Sequence, residues 1–162
     1  MICNSRDISE RVKLQKEINK NYERFTALFE LSPVAIAVSN MKGQIVDFNN
    51  SFVKLLEYSP EESKKLTIKD ISHPEDLETN LLLRKTLLSR ERASMEMKKR
   101  YFSKSGKTVE TYLNVVLQND EQGNPAFFLG QIIDISDIEK GRQKLEESER
   151  EYRDLFDNSY DL

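Results

Sequence analysis

Three consecutive strand patterns in the second half of the chain limit the possible folds more than any other feature. They cover residues 94–103, 108–118 and 126–135, and are rich in β-branched and aromatic residues that alternate with polar ones. The segments between them, 104–107 and 120–125, contain glycine and are short enough to be turns. Short turns between consecutive strands are typical of an antiparallel sheet.

A shorter hairpin comes earlier in the chain. Strand patterns at residues 34–39 and 44–48 flank a turn at Met41, Lys42 and Gly43. Helix signals separate this hairpin from the three longer strands. The order of two strands, then helices, then three strands predicts an α+β domain, in which a five-stranded antiparallel sheet has helices gathered on one face.

The helix signals between the two groups of strands are mostly capping patterns. Asn49 or Asn50 can begin one helix, and Ser59 with Glu62 forms a capping box that begins the next. A short helix is predicted near residues 68–71. A longer helix, from the His73 region to about residue 90, carries Leu77, Leu81, Leu82, Leu87 and Leu88 among its apolar residues.

Charged helices flank this mixed region. Residues 10–30 and 137–157 place apolar side chains at spacings of three and four, the pattern of a two-stranded coiled coil. We therefore expect a homodimer, in which Asn21 within the stripe fixes the register. The alternative is that each stripe packs on the outer face of its own sheet. A third arrangement combines the two, with residues 22–31 covering the sheet and the rest pairing between chains. The predicted dimer seam consists of Leu14, Ile18, Asn21, Phe25, Ile138, Leu145 and Tyr152.

The two ends of the chain repeat each other. The tripeptide Asp-Ile-Ser occurs at residues 7–9 and again at 134–136, and at this offset of 127 seven of 27 aligned positions are identical. Such a repeat is typical of the joint between successive modules of an array, so we expect a piece of a longer signalling protein. The predicted division is a connector helix over residues 1–21, a central domain over 22–136, and a signalling helix with the start of a following module over 137–162.

Composition excludes several classes of function. The net charge of −3 provides no basic field for nucleic acid, and the longest apolar runs, about five residues, are far shorter than the roughly 20 that a membrane span needs. The single cysteine, Cys3, excludes an internal disulfide and a cysteine-built zinc site, and it suits a reducing cytoplasm. With one histidine, five glycines and no nucleophile or phosphate-binding motif, the sequence predicts that the chain is not an enzyme.

Several short motifs occur in a fixed order between residues 25 and 136. They are Ser32 and Pro33, Asn49, residues 58–62, 73–76 and 104–107, Gly130, and residues 134–136. Together they resemble the PAS family of sensor domains. The resemblance implies a sheet that cups short helices around a small cavity, which family members use for haem, flavin, metabolites or nothing. It also implies that Asp134, Ile135 and Ser136 relay a signal into the following helix, toward kinase, cyclase or phosphodiesterase domains.

The resemblance also bears on particular cofactors. Photoactive flavin-binding members need a cysteine where this chain has Ile68, and they place a glutamine where it has Ile132, so we expect no photoactive flavin. Haem-binding members ligate iron through a histidine inside the long helix, whereas His73 precedes Pro74 at the entrance of that helix. We expect no haem, no other cofactor and no metal, and interpret His73 as part of a helix cap. A metal site at His73 and the acids that follow it is the alternative.

Strand alternation and the resemblance place an uncharged, mostly apolar pocket between the sheet and the helices. Tyr101 and Thr111 are the polar groups expected to reach it and to orient an unidentified small ligand, and Gly130 is expected to leave space beside the sheet. The alternative is that these are ordinary core residues that fill the cavity. The remaining pocket candidates are Leu66, Ile68, Ile71, Leu77, Leu81, Leu113, Val115, Phe128 and Ile132.

These observations predict a non-catalytic sensory and dimerisation module of a larger signal-transduction protein, of the sensor histidine kinase or cyclic-di-GMP enzyme type. Its expected partners are a second copy of the chain and the neighbouring domains of its own chain. The alternative is a purely structural dimerisation domain without a ligand. A small molecule retained by the purified protein would distinguish the two.

Overall fold

A computed structural model describes residues 5–159, and what was predicted for residues 1–4 and 160–162 lies outside the described residues. The elements follow the predicted order closely. They are α1 (Ser5–Leu31), β1 (Ala35–Asn40), β2 (Ile45–Phe48), α2 (Asn50–Leu56), α3 (Pro60–Ser63), α4 (Ile68–Ile71), a 3-10 turn (Pro74–Asp76), α5 (Leu77–Leu88), β3 (Ser94–Phe102), β4 (Thr108–Asn119), β5 (Pro125–Asp134) and α6 (Ser136–Ser159).

The strands form one five-stranded sheet in the order β2-β1-β5-β4-β3, and every neighbouring pair is antiparallel. The predicted α+β fold class is therefore confirmed. Strands β3, β4 and β5 pair in chain order, whereas β1 pairs with β5, placing Ala35 opposite Ile132. The end of α1 and the start of α6 consequently meet at the same end of the sheet.

Side-chain caps fix where the short helices begin. Ser59 accepts a hydrogen bond from the Glu62 amide while the Glu62 carboxylate accepts one from the Ser59 amide, which is the predicted capping box of α3. Thr67 and Asp70 form a second capping box at α4 that the sequence analysis did not identify. These reciprocal bonds satisfy amides that a one-turn helix otherwise leaves without partners.

Asn49 connects three parts of the fold and is almost fully buried. Its side-chain oxygen accepts hydrogen bonds from the amides of Phe52, at 3.1 Å, and Ile36, at 2.9 Å. Its side-chain nitrogen donates to the backbone carbonyls of Phe29 and Val34, both at 2.9 Å. One amide side chain therefore caps α2 and joins it to β1 and to the end of α1.

The main core lies between the sheet and the helices. Phe52, Leu56 and Ile71 from the helices are fully buried there against the inner face of the sheet. Helix α5 contributes Leu83 and Leu87. Burial of apolar surface in this layer, about 25 cal/mol per Å², is the main stabilising contribution to such a fold.

The long terminal helices contribute little to this core. Helix α1 contains no buried residue, and Tyr22, Phe25 and Leu28 are largely exposed, so its 22–31 segment does not cover the sheet of its own chain. Along α6, apolar side chains such as Leu145 and Leu155 are likewise exposed. Across residues 5–159, no helix is both long and apolar enough to cross a membrane.

Candidate functional site

A partly enclosed cavity lies between the inner face of the sheet, α4 and α5. About 50 Å³ of it is open to the centre of a water-sized sphere. Its walls come from four of the five strands, the β1–β2 turn and two helices. The lining residues are Ala37, Ser39, Gly43, Ile68, Asn80, Leu83, Arg84, Lys99, Tyr101, Leu113, Val115, Phe128, Gly130 and Ile132.

The structure brings seven of the predicted pocket residues to this cavity. They are Ile68, Tyr101, Leu113, Val115, Phe128, Gly130 and Ile132. The five strand residues Tyr101, Leu113, Val115, Phe128 and Ile132 are all buried, because each points to the inner face of the pleated sheet.

Five other candidates do not line the cavity. Leu81 is 64% exposed, so its placement in the pocket was wrong. Ile71 is buried in the core beside the cavity, and Leu66 packs partly buried against that core. Leu77 is half-buried at the start of α5. The buried Thr111 hydroxyl donates to the Lys99 carbonyl at 2.7 Å, so its hydrogen is used to hold β3.

Helix α5 explains the error at Leu81. Its inward face consists of Asn80, Leu83, Arg84 and Leu87, at spacings of three and four. Six leucines on one short helix are compatible with more than one inward face. The polar residues Asn80 and Arg84 made the true inward face look solvent-exposed, so Leu81 was wrongly favoured.

Gly130, which was expected to leave space beside the sheet, lines the cavity and lies close to Leu113. A Cβ atom added there would lie 3.3 Å from Leu113 Cδ1 and 3.8 Å from the Ala37 carbonyl oxygen. A larger side chain at this position would push Leu113 or enter the cavity. Glycine therefore keeps the centre of the sheet open toward the cavity.

Lys99 is the feature of the cavity that the sequence analysis missed. It is only 2% exposed, its Nζ donates to Asn80 Oδ1 at 3.2 Å, and it lies 4.7 Å from the centre of the Tyr101 ring. Burial lowers the pKa of Lys99 to about 8, although the Asp76 carboxylate acts in the opposite direction. The predicted pocket was uncharged; the observed one contains a buried amine.

The strand pattern held a signal for this lysine. Met95, Met97, Lys99 and Tyr101 occupy alternate positions of β3 and are more buried than the residues between them. A lysine between a methionine and a tyrosine on the core-facing side predicts a buried amine. The adjacent Lys98 and Arg100 made the segment look like an ordinary charged surface.

A second cationic group reaches the same cavity. The Arg84 guanidinium lies 5.1 Å from the centre of the Phe128 ring, and it donates to the Met41 carbonyl. The cavity lining therefore includes two cationic side chains, Lys99 and Arg84, and no aspartate or glutamate. The wall has an excess of positive charge.

The residues on either side of Lys99 connect β3 to other elements. Arg100 binds Asp76 at 2.8 Å, and the hydrogen bonds from Arg100 hold the pKa of Asp76 below its usual value. Lys98 binds Glu139, in the first turn of α6, at 2.8 Å. Three successive residues of β3 thus contact α6, the cavity and the start of α5.

The predicted relay residues form the junction between β5 and α6. The Asp134 side chain accepts a hydrogen bond from the Ser136 amide at 2.9 Å. The Ile135 amide donates to the Glu110 carbonyl on β4 at 3.0 Å, and the Ile135 carbonyl accepts the first helical bond of α6, from Glu139. The junction is therefore hydrogen-bonded to the sheet rather than a free linker.

His73 is a cap. Its Nδ1 accepts a hydrogen bond from the Glu75 amide at 3.2 Å, and its ring lies 5.2 Å from the ring of Phe102. Within the described residues 5–159, no group of three histidine, cysteine, aspartate or glutamate side chains is arranged to hold a metal ion.

The predicted seam residues are exposed on the two terminal helices. Phe25, for example, is 64% exposed and stacks with Phe29 of the same helix at 6.1 Å between ring centres. The other exposed members are Leu14, Ile18, Asn21, Ile138, Leu145 and Tyr152.

Comparison with known proteins identifies the family. The family model of the PAS fold matches residues 23–135, which include the whole sheet and the cavity. The chain belongs to the PAS family. As a PAS domain, it is a sensory module of the kind found in signalling proteins.

Two relatives illustrate how far the similarity extends. The probable diguanylate cyclase DgcE of Escherichia coli is 32% identical over 129 residues, which cover 80% of this chain but 12% of that protein. The PAS domain of an HTR-like protein from Haloarcula marismortui has a TM-score of 0.61 at 25% identity, over 76% of this chain and 98% of that one. The chain thus spans a small part of its curated relative.

A third structure has the same fold at lower identity. The PAS domain of a protein from Colwellia psychrerythraea gives a TM-score of 0.66 at 21% identity, over 72% of this chain and 98% of that one. In the PAS domain described here, Ile68 and Ile132 both line the cavity. These are the residues that stand where photoactive flavin-binding members need a cysteine and a glutamine.

Proposed function

We propose that residues 22–136 are a non-catalytic sensor domain that binds a small ligand in the cavity and relays its presence through α6. Residues 1–21 would then be an incoming connector, and residues 137–162 the signalling helix of a larger protein, of the diguanylate cyclase or sensor histidine kinase type. The single cysteine supports a cytoplasmic location for this unit. The observation that carries the proposal is a cavity whose walls include the strands that contact α6.

The relay has a short physical route. β5 lines the cavity and leads directly into α6 through Ile135, and β3 lines it and holds α6 through Lys98 and Glu139. A ligand that binds one arrangement of these strands more tightly than another shifts the equilibrium between them. Because α6 is attached at both places, it would move with the strands.

The proposed partner of this unit is a second copy of the chain. α1 has 27 residues, which is about 40 Å of helix, and its apolar stripe is exposed within the described residues 5–159. The alternative in which residues 22–31 cover their own sheet loses support, because Tyr22, Phe25 and Leu28 are exposed. A parallel pairing of α1 and α6 between two copies would bury both stripes.

A thermal-shift screen with a filled-cavity control tests the sensor proposal. Ala37 lies on the cavity wall, and Ala37→Val adds two methyl groups to it on a strand that accepts β-branched residues. We expect small metabolites to raise the Tm of the original protein and not that of Ala37→Val. Equal shifts in both proteins, or no shift with any compound, would favour the purely structural alternative.

A further inference from the structure

The charge balance of the cavity is unusual for a space inside a protein. Lys99 is the one charged side chain among residues 5–159 that the fold buries almost completely. Buried charges are normally paired with an opposite charge, yet no ion pair to Lys99 occurs within the described residues. Its hydrogen-bond acceptor is a neutral amide, that of Asn80.

The nearby acids are engaged elsewhere. Asp76 is the acid whose charge acts on Lys99, and both of its carboxylate oxygens accept hydrogen bonds from Arg100. An ammonium group has three N–H donors. Asn80 accepts from one of them and the Tyr101 ring lies close to the amine, which leaves donor capacity for a further acceptor.

We infer that the cavity recognises a small carboxylate, whose negative charge is bound by Lys99 with Arg84 as a second cationic group. This inference rests on the proposed ligand-binding role of the cavity and adds the chemical class of the ligand. A carboxylate supplies the acceptor atoms and the charge that the wall lacks. The lowered pKa of Lys99 has the same origin, since the amine is buried without an ion-pair partner.

The size of the cavity limits the ligand further. The 50 Å³ open to a water-sized sphere corresponds to about four water molecules. That space suits a carboxylate of about four or five non-hydrogen atoms, such as acetate or propionate. The apolar wall formed by Leu113, Val115 and Ile132 suits the short alkyl part.

The test is a titration of the full chain at pH 7 with a panel matched in size and different in charge. Sodium acetate and propionate are the anions, acetamide is the neutral isostere, and sodium chloride at equal ionic strength is the salt control. Binding is followed by amide chemical shifts of the cavity strands in ¹H–¹⁵N spectra. We expect saturable shifts with the carboxylates and at least tenfold weaker binding of acetamide.

Two variants identify the group responsible. Lys99→Met is expected to weaken carboxylate binding at least tenfold. The control Lys85→Met removes an exposed lysine from α5 and should leave the carboxylate affinity unchanged. Arg84→Gln, expected to weaken binding by a smaller factor, keeps the test informative if Lys99→Met does not fold. Each variant is compared by its amide spectrum before titration.

The outcomes separate this inference from the proposed function. Equal binding of acetamide and acetate, or an unchanged carboxylate affinity in both cavity variants, overturns the carboxylate assignment but leaves a ligand-binding sensor. If no member of the panel binds while other metabolites stabilise the protein in the thermal screen, the assignment fails and the sensor proposal stands. If nothing binds in either experiment, both fail.

Discussion

Replacing Lys99 by methionine should change how the stability of this PAS domain depends on pH. The folded-state pKa of Lys99 is about 8, against 10.5 for an unburied lysine. Between these values the unfolded chain binds the proton and the folded protein does not, so the free energy of unfolding rises with pH. Lys99 therefore destabilises the fold at neutral pH, and this cost disappears as the pH approaches 10.5.

The size of the effect follows from the two pKa values. Between pH 7 and pH 9.5 the proton linkage of Lys99 raises the free energy of unfolding by about 2 kcal/mol. The upper limit of pH 9.5 stays below the ordinary tyrosine pKa of 10.0. Above that value Tyr101, whose pKa burial raises, ionises in the unfolded chain and not in the folded protein, which lowers the free energy of unfolding. Lys99→Met keeps a side chain of similar length without the charge. The free energy of unfolding of this variant therefore lacks the rise with pH that Lys99 causes.

Urea denaturation at half-unit pH intervals measures the effect. We expect the free energies of unfolding of the original protein and Lys99→Met to converge by about 2 kcal/mol as the pH rises from 7 to 9.5. The matched variant Lys85→Met should run parallel to the original protein, because Lys85 is exposed. Parallel curves for Lys99→Met and the original protein would refute the interpretation of Lys99 as a buried, destabilising cation.

Other parts of the structure lead to further predictions. Asn49→Ala should lower the free energy of unfolding by about 2–4 kcal/mol because it removes four buried hydrogen bonds; a loss below 1 kcal/mol would contradict this. Asp76→Asn should destabilise the protein at pH 7 and make its free energy of unfolding fall less on acidification. The lowered carboxylate pKa contributes stability that is present above the unfolded pKa of 3.8 and is lost as the pH falls through the folded pKa. An acid transition identical to that of the original protein would count against it. Glu139→Gln should leave the Tm nearly unchanged but speed hydrogen exchange in the first turn of α6; unchanged exchange would show that this ion pair does not hold the helix. Ile18→Glu should weaken the proposed dimer more than tenfold in sedimentation equilibrium while Lys16→Glu should not; a monomeric original protein at high micromolar concentration would remove the dimer.

The elements of the fold were predictable because their signals are local. The capping box at Ser59, the turn at Gly43 and the period-two pattern of the three long strands each depend on a few neighbouring residues. The strand residues of the cavity followed from the same alternation. The sheet order was not predicted, since local patterns do not show that β1 pairs with β5.

The polar part of the cavity could not be obtained in the same way. The inward face of α5 depends on the rotation of a short helix against the sheet, and leucines on several faces gave no preferred choice. Alternation along β3 indicates that Lys99 points inward, but its contact with Asn80 depends on how α5 packs against the sheet. Its neighbours Lys98 and Arg100 pair with acids on other elements, which are distant in the sequence.

The central claim is that occupancy of the cavity moves the helix that leaves the domain. Spin labels at Gln118 on β4 and Gln143 on α6, both exposed positions, measure the distance between sheet and helix in the protein with Cys3 replaced by serine. We expect saturating acetate to shift this distance distribution, and we expect no shift in Lys99→Met. An unchanged distribution in a protein whose cavity is shown to be saturated would contradict it.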